Sequence, residues 1–177
     1  MTTAKEDMML DDKHLSSSGK RNNDLPETNR GFKLPSVSDL PDTPSIVTPI
    51  EVMFFDTDCA AVVHNIAYLR FIETARTHLA EKMGMSLHQM SLTKEFPVVV
   101  RTEIDYRAPA VLGDKLEVRG ILEKMERSRF WCNFKIVRLS DEKLIVTCRQ
   151  MLALITMPGA KILRMPASWL TQYGHLR

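Results

Sequence analysis

Two carboxylates, Asp56 and Asp58, stand two positions apart where an extended apolar run gives way to a helical one, in Phe55-Asp56-Thr57-Asp58-Cys59-Ala60-Ala61-Val62-Val63-His64-Asn65-Ile66-Ala67-Tyr68. A strand that passes through a short loop into a long helix holds the helix N-terminus rigidly, and the unpaired N–H groups there favour negative charge. An acid beside such donors suits acyl transfer: the carboxylate attacks or activates a water, and N–H groups near Asn65 meet the oxyanion that develops. The same acids also suit a purely conformational part, since Asp bonds to its own backbone in turns and tolerates unusual angles. His64 either orients water or substrate, or packs and caps the helix start. Cys59 adjoins the acids, but no Cys-His-Asp arrangement accompanies it, and it reads as a small buried filler. This chemistry requires neither a metal nor a cofactor.

The elements that must hold these residues can be read from periodicity. From Ser45 to Phe55 the pattern is extended, and Pro49 confines its early part to an edge. Between Ile66 and Met83 the apolar residues Tyr68, Ile72, Ala75, Leu79 and Met83 recur every three or four positions, with Arg70, Glu73, Thr77 and Lys82 on the other side. The spacing predicts a helix about 27 Å long at 1.5 Å per residue, stopped by Gly84. Four strand patterns follow, Phe96–Arg107, Lys115–Glu126, Arg129–Leu139 and Leu144–Met157, with hairpin breaks at Arg127-Ser128 and Ser140-Asp141-Glu142. Both faces of the last strand are apolar, so a second cover, a partner subunit, is expected. After Pro158-Gly159 a tail with Pro166, Trp169 and Leu170 predicts a terminal helical turn on the sheet. The order is α+β, one long helix laid on an antiparallel five-stranded sheet.

Composition narrows the partners. Residues 1–45 contain four prolines, one aromatic (Phe32) and six Lys/Arg against eight Asp/Glu, so they read as a disordered extension, leaving residues 46–177 as the compact domain with a short C-terminal tail. The net charge of +2 is too small to imply nucleic acid. No apolar run reaches the roughly 18 to 20 residues of a membrane span, and the N-terminus lacks a signal-peptide core. Cys59, Cys132 and Cys148 are odd in number and widely spaced, which points to a reducing cytoplasm rather than a disulfide framework or zinc site.

Asp56-Thr57-Asp58, followed after nine residues by Tyr68-Leu69-Arg70-Phe71-Ile72-Glu73-Thr74-Ala75-Arg76, resembles the signature of the 4-hydroxybenzoyl-CoA thioesterase group of hotdog-fold acyl-CoA thioesterases. Tyr106-Arg107-Ala108-Pro109-Ala110 with Gly113-Asp114-Lys115-Leu116-Glu117-Val118 is similar to the strand-turn-strand element of that family. The resemblance spans roughly residues 48–157. It implies a sheet wrapped around a central helix, homodimers joined edge to edge or homotetramers, active sites at the subunit interface, and an acyl-CoA substrate. It also assigns the catalytic carboxylate to Asp58, as nucleophile or general base, and leaves Asp56 as a loop anchor or a partner for an arginine. Ala61 stands where many relatives carry Gly, and its methyl group disfavours a positive φ. Asn65 occupies a position that varies between Asn, His and Tyr, so its backbone N–H is the transferable feature.

The resemblance therefore implies thioester hydrolysis to a free acid and CoA, with Asp58 as the acid, Asn65 as oxyanion donor and His64 as a further candidate. A non-catalytic module that binds acyl-CoA or a protein partner through the same groove is the alternative. A hotdog-fold hydratase would want a His five residues after the acid, where this chain has Val63.

Overall fold

The computed structural model describes residues 41–176 of the 177. Most of the stretch read as an N-terminal extension, residues 1–40, lies outside the described residues. From there the chain forms β1 (Ser45–Glu51), α1 (Asn65–Lys82), α2 (Leu87–Thr93), β2 (Glu95–Tyr106), β3 (Lys115–Met125), β4 (Arg129–Arg138), β5 (Lys143–Thr156), β6 (Lys161–Ile162) and α3 (Ala167–Tyr173). The long strands pair antiparallel in the order β1-β3-β4-β5-β2, and β6 adds two pairs to β5. The sheet thus gains a short sixth strand beyond the five expected, because a turn through Gly159, at φ 104°, and Ala160, at φ 50°, returns the chain along β5.

Alternation decides which face meets the helix. Leu116, Val118 and Leu122 of β3, Phe130, Cys132, Phe134 and Ile136 of β4, and Val146, Cys148, Leu152 and Leu154 of β5 are buried, with Ala67, Tyr68, Phe71, Ile72, Ala75 and Leu79 of α1 in the same core. A helix with one apolar stripe and a sheet with one apolar face are each stable only against such a partner. Gly120 sits where a Cβ would lie 2.7 Å from the Phe134 ring, so the close approach of β3 and β4 leaves no room for a side chain. On β5, Ile145 is an extra residue between the pairs Ile136–Val146 and Val137–Leu144, and its carbonyl accepts the Arg107 and Ala108 N–H groups (2.8 and 3.2 Å).

Two departures from the sequence reading have local causes, and one expectation is met. The first strand ends at Glu51 rather than Phe55: Val52 N–H turns to Asp114 O (2.9 Å), and Phe54–Asp56 form a single 3-10 turn with Phe54 and Phe55 facing outward. Seven-residue α2, which periodicity is too short to reveal, is started by a capping box in which Ser86 Oγ accepts from Gln89 N–H and Gln89 Oε1 accepts from Ser86 N–H. In the tail, α3 is held by Trp169, whose Nε1–H donates to Met83 O (2.9 Å) and whose ring meets Phe130 edge-on at 5.9 Å.

Candidate active site

Between β1 and α1 the chain makes a small hairpin-like loop. Thr57 pairs with Val63, Asp58 N–H donates to Val62 O (2.9 Å), and Ala61 N–H closes a turn on Asp58 O (2.9 Å). Asp58 Oδ1 accepts from Ala60 N–H at 2.8 Å, so one carboxylate oxygen shapes the turn, while Oδ2 forms no hydrogen bond among the described residues. Ala61 sits at φ 60°, so the loop adopts the left-handed conformation despite the methyl group. The loop is moored to the β2–β3 connection by a Val62–Val111 bridge and by Val63 N–H to Ala110 O (2.8 Å).

Asp56 is 3% exposed. Its Oδ1 accepts from Arg70 Nη2 at 2.8 Å, its Oδ2 from Met53 N–H at 3.0 Å, and its carbonyl from His64 N–H at 2.8 Å. It is both a loop anchor and the partner of an arginine.

His64 is the N-cap of α1, its Nδ1 accepting from Ile66 N–H at 3.2 Å. A backbone N–H can only donate, so Nδ1 is unprotonated and, in the neutral ring, the hydrogen resides on Nε2. The Asn65 side chain accepts from the same Ile66 N–H (3.0 Å), whereas the Asn65 N–H meets no acceptor among the described residues. That donor stands at the positive end of an 18-residue helix.

Asp58, His64 and Asn65 line a single open groove of about 480 Å³. Its other walls are Val63, Tyr68 and, from the end of β2 onward, Tyr106, Arg107, Ala108 and Pro109. Tyr68 is buried; its hydroxyl accepts from Ala110 N–H at 3.0 Å, and burial raises its pKa above the ordinary tyrosine value. The Tyr106 ring lies 5.8 Å from Tyr68, and its hydroxyl makes a long contact, 3.5 Å, to Asn65 O. From behind, Arg138 Nη1 reaches Pro109 O (3.3 Å) and Asp114 Oδ2 (3.2 Å), holding the wall in place. Tyr106 and its neighbours could not be joined to the helix start by spacing, because 41 residues separate Tyr106 from Asn65.

The remaining candidates lie elsewhere. Cys59 is exposed, which corrects its reading as buried filler: it occupies the tip of a turn that points to solvent. Cys132 and Cys148 are buried, and burial pushes their thiols up to about 12 and about 11, so both stay protonated. Glu73 is exposed beside Arg76 (3.6 Å). Among the described residues no three His, Cys, Asp or Glu side chains stand together as metal ligands would.

Fold and groove together define a class, the hotdog-fold proteins of thioesterase type. The crystal structure of Slr0204, a 1,4-dihydroxy-2-naphthoyl-CoA thioesterase from Synechocystis, superposes with a TM-score of 0.65 at 26% identity, covering 72% of this chain and 94% of its own. In sequence, the 1,4-dihydroxy-2-naphthoyl-CoA hydrolase of Synechocystis is 27% identical over 122 residues, 68% of this chain and 88% of the relative. The acyl-CoA thioester hydrolase YbgC of Escherichia coli is 29% identical over 105 residues, 56% of this chain and 78% of the relative. The profile of the thioesterase-like superfamily matches residues 52–172, and the chain belongs to that family.

Proposed function

We propose that this protein hydrolyses an acyl-CoA thioester to a free acid and CoA, with Asp58 acting on the thioester carbonyl and the Asn65 N–H receiving the oxyanion. The observation that carries the reading is that Asp58, with one carboxylate oxygen that forms no hydrogen bond among the described residues, and Asn65, whose N–H meets no acceptor among them, line the same groove. Asp58 Oδ2 attacks the carbonyl carbon directly, and the C–S bond of the tetrahedral intermediate breaks to release the CoA thiolate and leave an acyl-aspartyl anhydride that water then cleaves, or it takes a proton from a water that attacks in its place. In either route negative charge gathers on the carbonyl oxygen, where one fixed donor is worth roughly 2.7–4 kcal/mol. His64 Nε2–H adds a donor to the groove. It is no base while Nδ1 caps the helix.

The β2 edge supports a homodimer or homotetramer. Val99 and Val100 are exposed at an irregularity in the β2–β5 register, and β2 is the terminal strand on its side of the sheet, whereas the opposite edge, β1, carries Pro49. No helix among the described residues is long and apolar enough to cross a membrane, and the buried, unpaired Cys132 and Cys148 support a place in the cytoplasm.

The test is thiol release from a panel of short, medium, long and aromatic acyl-CoAs. Turnover that depends on Asp58 is expected. Binding of acyl-CoA without release, unchanged in Asp58→Asn, would instead mark a binding module.

A further inference from the structure

We propose that Asp56 is a positioning residue for this reaction, setting the separation between the Asp58 carboxylate and the Asn65 N–H through its bonds to Arg70 and His64. The inference rests on the thioesterase reading of the groove. Asp56 lies two residues before the acid and its carbonyl holds the N–H of the residue just before Asn65, so one residue sits at the base of both arms of the site.

Its carboxylate is almost completely buried, and each oxygen is engaged, one by Arg70 and one by Met53 N–H. Arg70 lies on the second turn of α1, and its guanidinium also sits over the Phe55 ring at 5.9 Å. The segment leading into the acid is thereby tied to α1 twice, at the cap and one turn further on. Two ties remove both sliding and rotation of the helix end relative to the loop, whereas one would leave a hinge. The charge pairing has a second effect. Arg70 neutralises the carboxylate nearest in sequence to Asp58, so Asp58 does not face a second uncompensated negative charge two residues away.

Without Arg70 the buried carboxylate loses its counter-charge and must draw in water or a new partner, displacing the 3-10 turn. Displacement of a reacting group by about 1 Å costs on the order of 10²-fold in rate.

The experiment compares the full chain with Asp56→Ala, Arg70→Ala, the double variant, and the milder Asp56→Asn and Arg70→Lys. Rates come from thiol release, and amide hydrogen exchange over residues 58–67 gives a readout independent of activity. Each alanine variant is expected to lose about 30- to 100-fold in kcat with KM within about threefold. The double variant should be no worse than the poorer single one, since the pair acts as a unit. Asp56→Asn should recover most of the rate, its amide oxygen still accepting from Met53 N–H or Arg70. The His64 and Ala67 amides, which donate to Asp56 O and His64 O, should exchange faster in both alanine variants. Should an alanine variant fail to fold, the milder Asn and Lys variants test the same coupling: their kcat should fall below wild type in step with faster exchange at His64 and Ala67. Folded alanine variants with wild-type kcat, alanine losses that multiply in the double variant and leave exchange unchanged, or, where the alanine variants do not fold, Asn and Lys variants with both kcat and exchange as in wild type, overturn the inference. A wild-type chain that releases no thiol from any acyl-CoA overturns the reaction itself.

Discussion

Asp58→Asn separates the chemistry of the acid from its part in the turn. An asparagine at this position keeps an oxygen able to accept from Ala60 N–H, now at 2.8 Å, and leaves untouched the main-chain bonds from Asp58 N–H to Val62 and from Ala61 N–H to Asp58. The loop should therefore survive, with unfolding free energy within about 0.5 kcal/mol of wild type, as for an exposed substitution that loses no partner. The rate should not. Losing a general base or a nucleophile removes roughly 10²- to 10⁴-fold, about 2.7 to 5.5 kcal/mol of barrier. Asp58→Ala should lose the same rate and in addition about 0.5–1.5 kcal/mol of stability, because the Ala60 N–H loses its acceptor. Thiol release measured spectrophotometrically, beside urea unfolding of the same preparations, resolves the two effects. An asparagine variant that keeps more than a tenth of the wild-type kcat would refute the assignment, and one that unfolds would refute the account of the turn.

Further outcomes follow from the same geometry. Ala61→Gly should stabilise by up to about 1 kcal/mol in urea unfolding, since the left-handed penalty of about 1–2 kcal/mol is removed and part is returned to glycine's extra freedom in the unfolded chain. Trp169→Phe should cost about 1–3 kcal/mol by the same measurement, because Met83 O is left without its buried donor. A thiol reagent should label Cys59 within minutes in the native protein and reach Cys132 and Cys148 only in denaturant. Burial holds the Cys132 thiol at about 12 against an ordinary value near 9, so the unfolded thiol ionises first as pH rises. Its share of stability, full below about pH 9, should fall by about 1.4 kcal/mol per pH unit up to about 12, and Cys132→Ala should flatten that slope in unfolding measured from pH 8 to 10.

What the sequence disclosed depended on how far each contact reaches along the chain. The acid and the helix start are seven residues apart and joined by a loop too short to offer many paths, so spacing placed Asp58, His64 and Asn65 near one another, while the choice of Asp58 over Asp56 rested on the family resemblance. The alternating apolar residues of β3 and β4 fixed the buried face because one face of a sheet on a helix has a single solution. Tyr106, Arg107 and Pro109 escaped that logic, since their place beside Asn65 follows from β2 closing on β5. Phe54 and Phe55 misled for the opposite reason: as types they suit a buried strand, yet Asp56 draws the chain into a 3-10 turn that sets both rings outward. Nor did residue type reveal which proton His64 carries, a matter decided by the Ile66 N–H that faces it.

Main-chain groups, rather than side chains, tie together most of the loop that bears Asp58, and such bonds are indifferent to what the intervening residues carry. Cys59, exposed and adjacent to the acid, is thus a native attachment point for a fluorophore or spin label. A probe fixed there would leave the internal bonding of the loop alone while sitting one residue from the acid, and would register changes of the loop as the groove fills and empties.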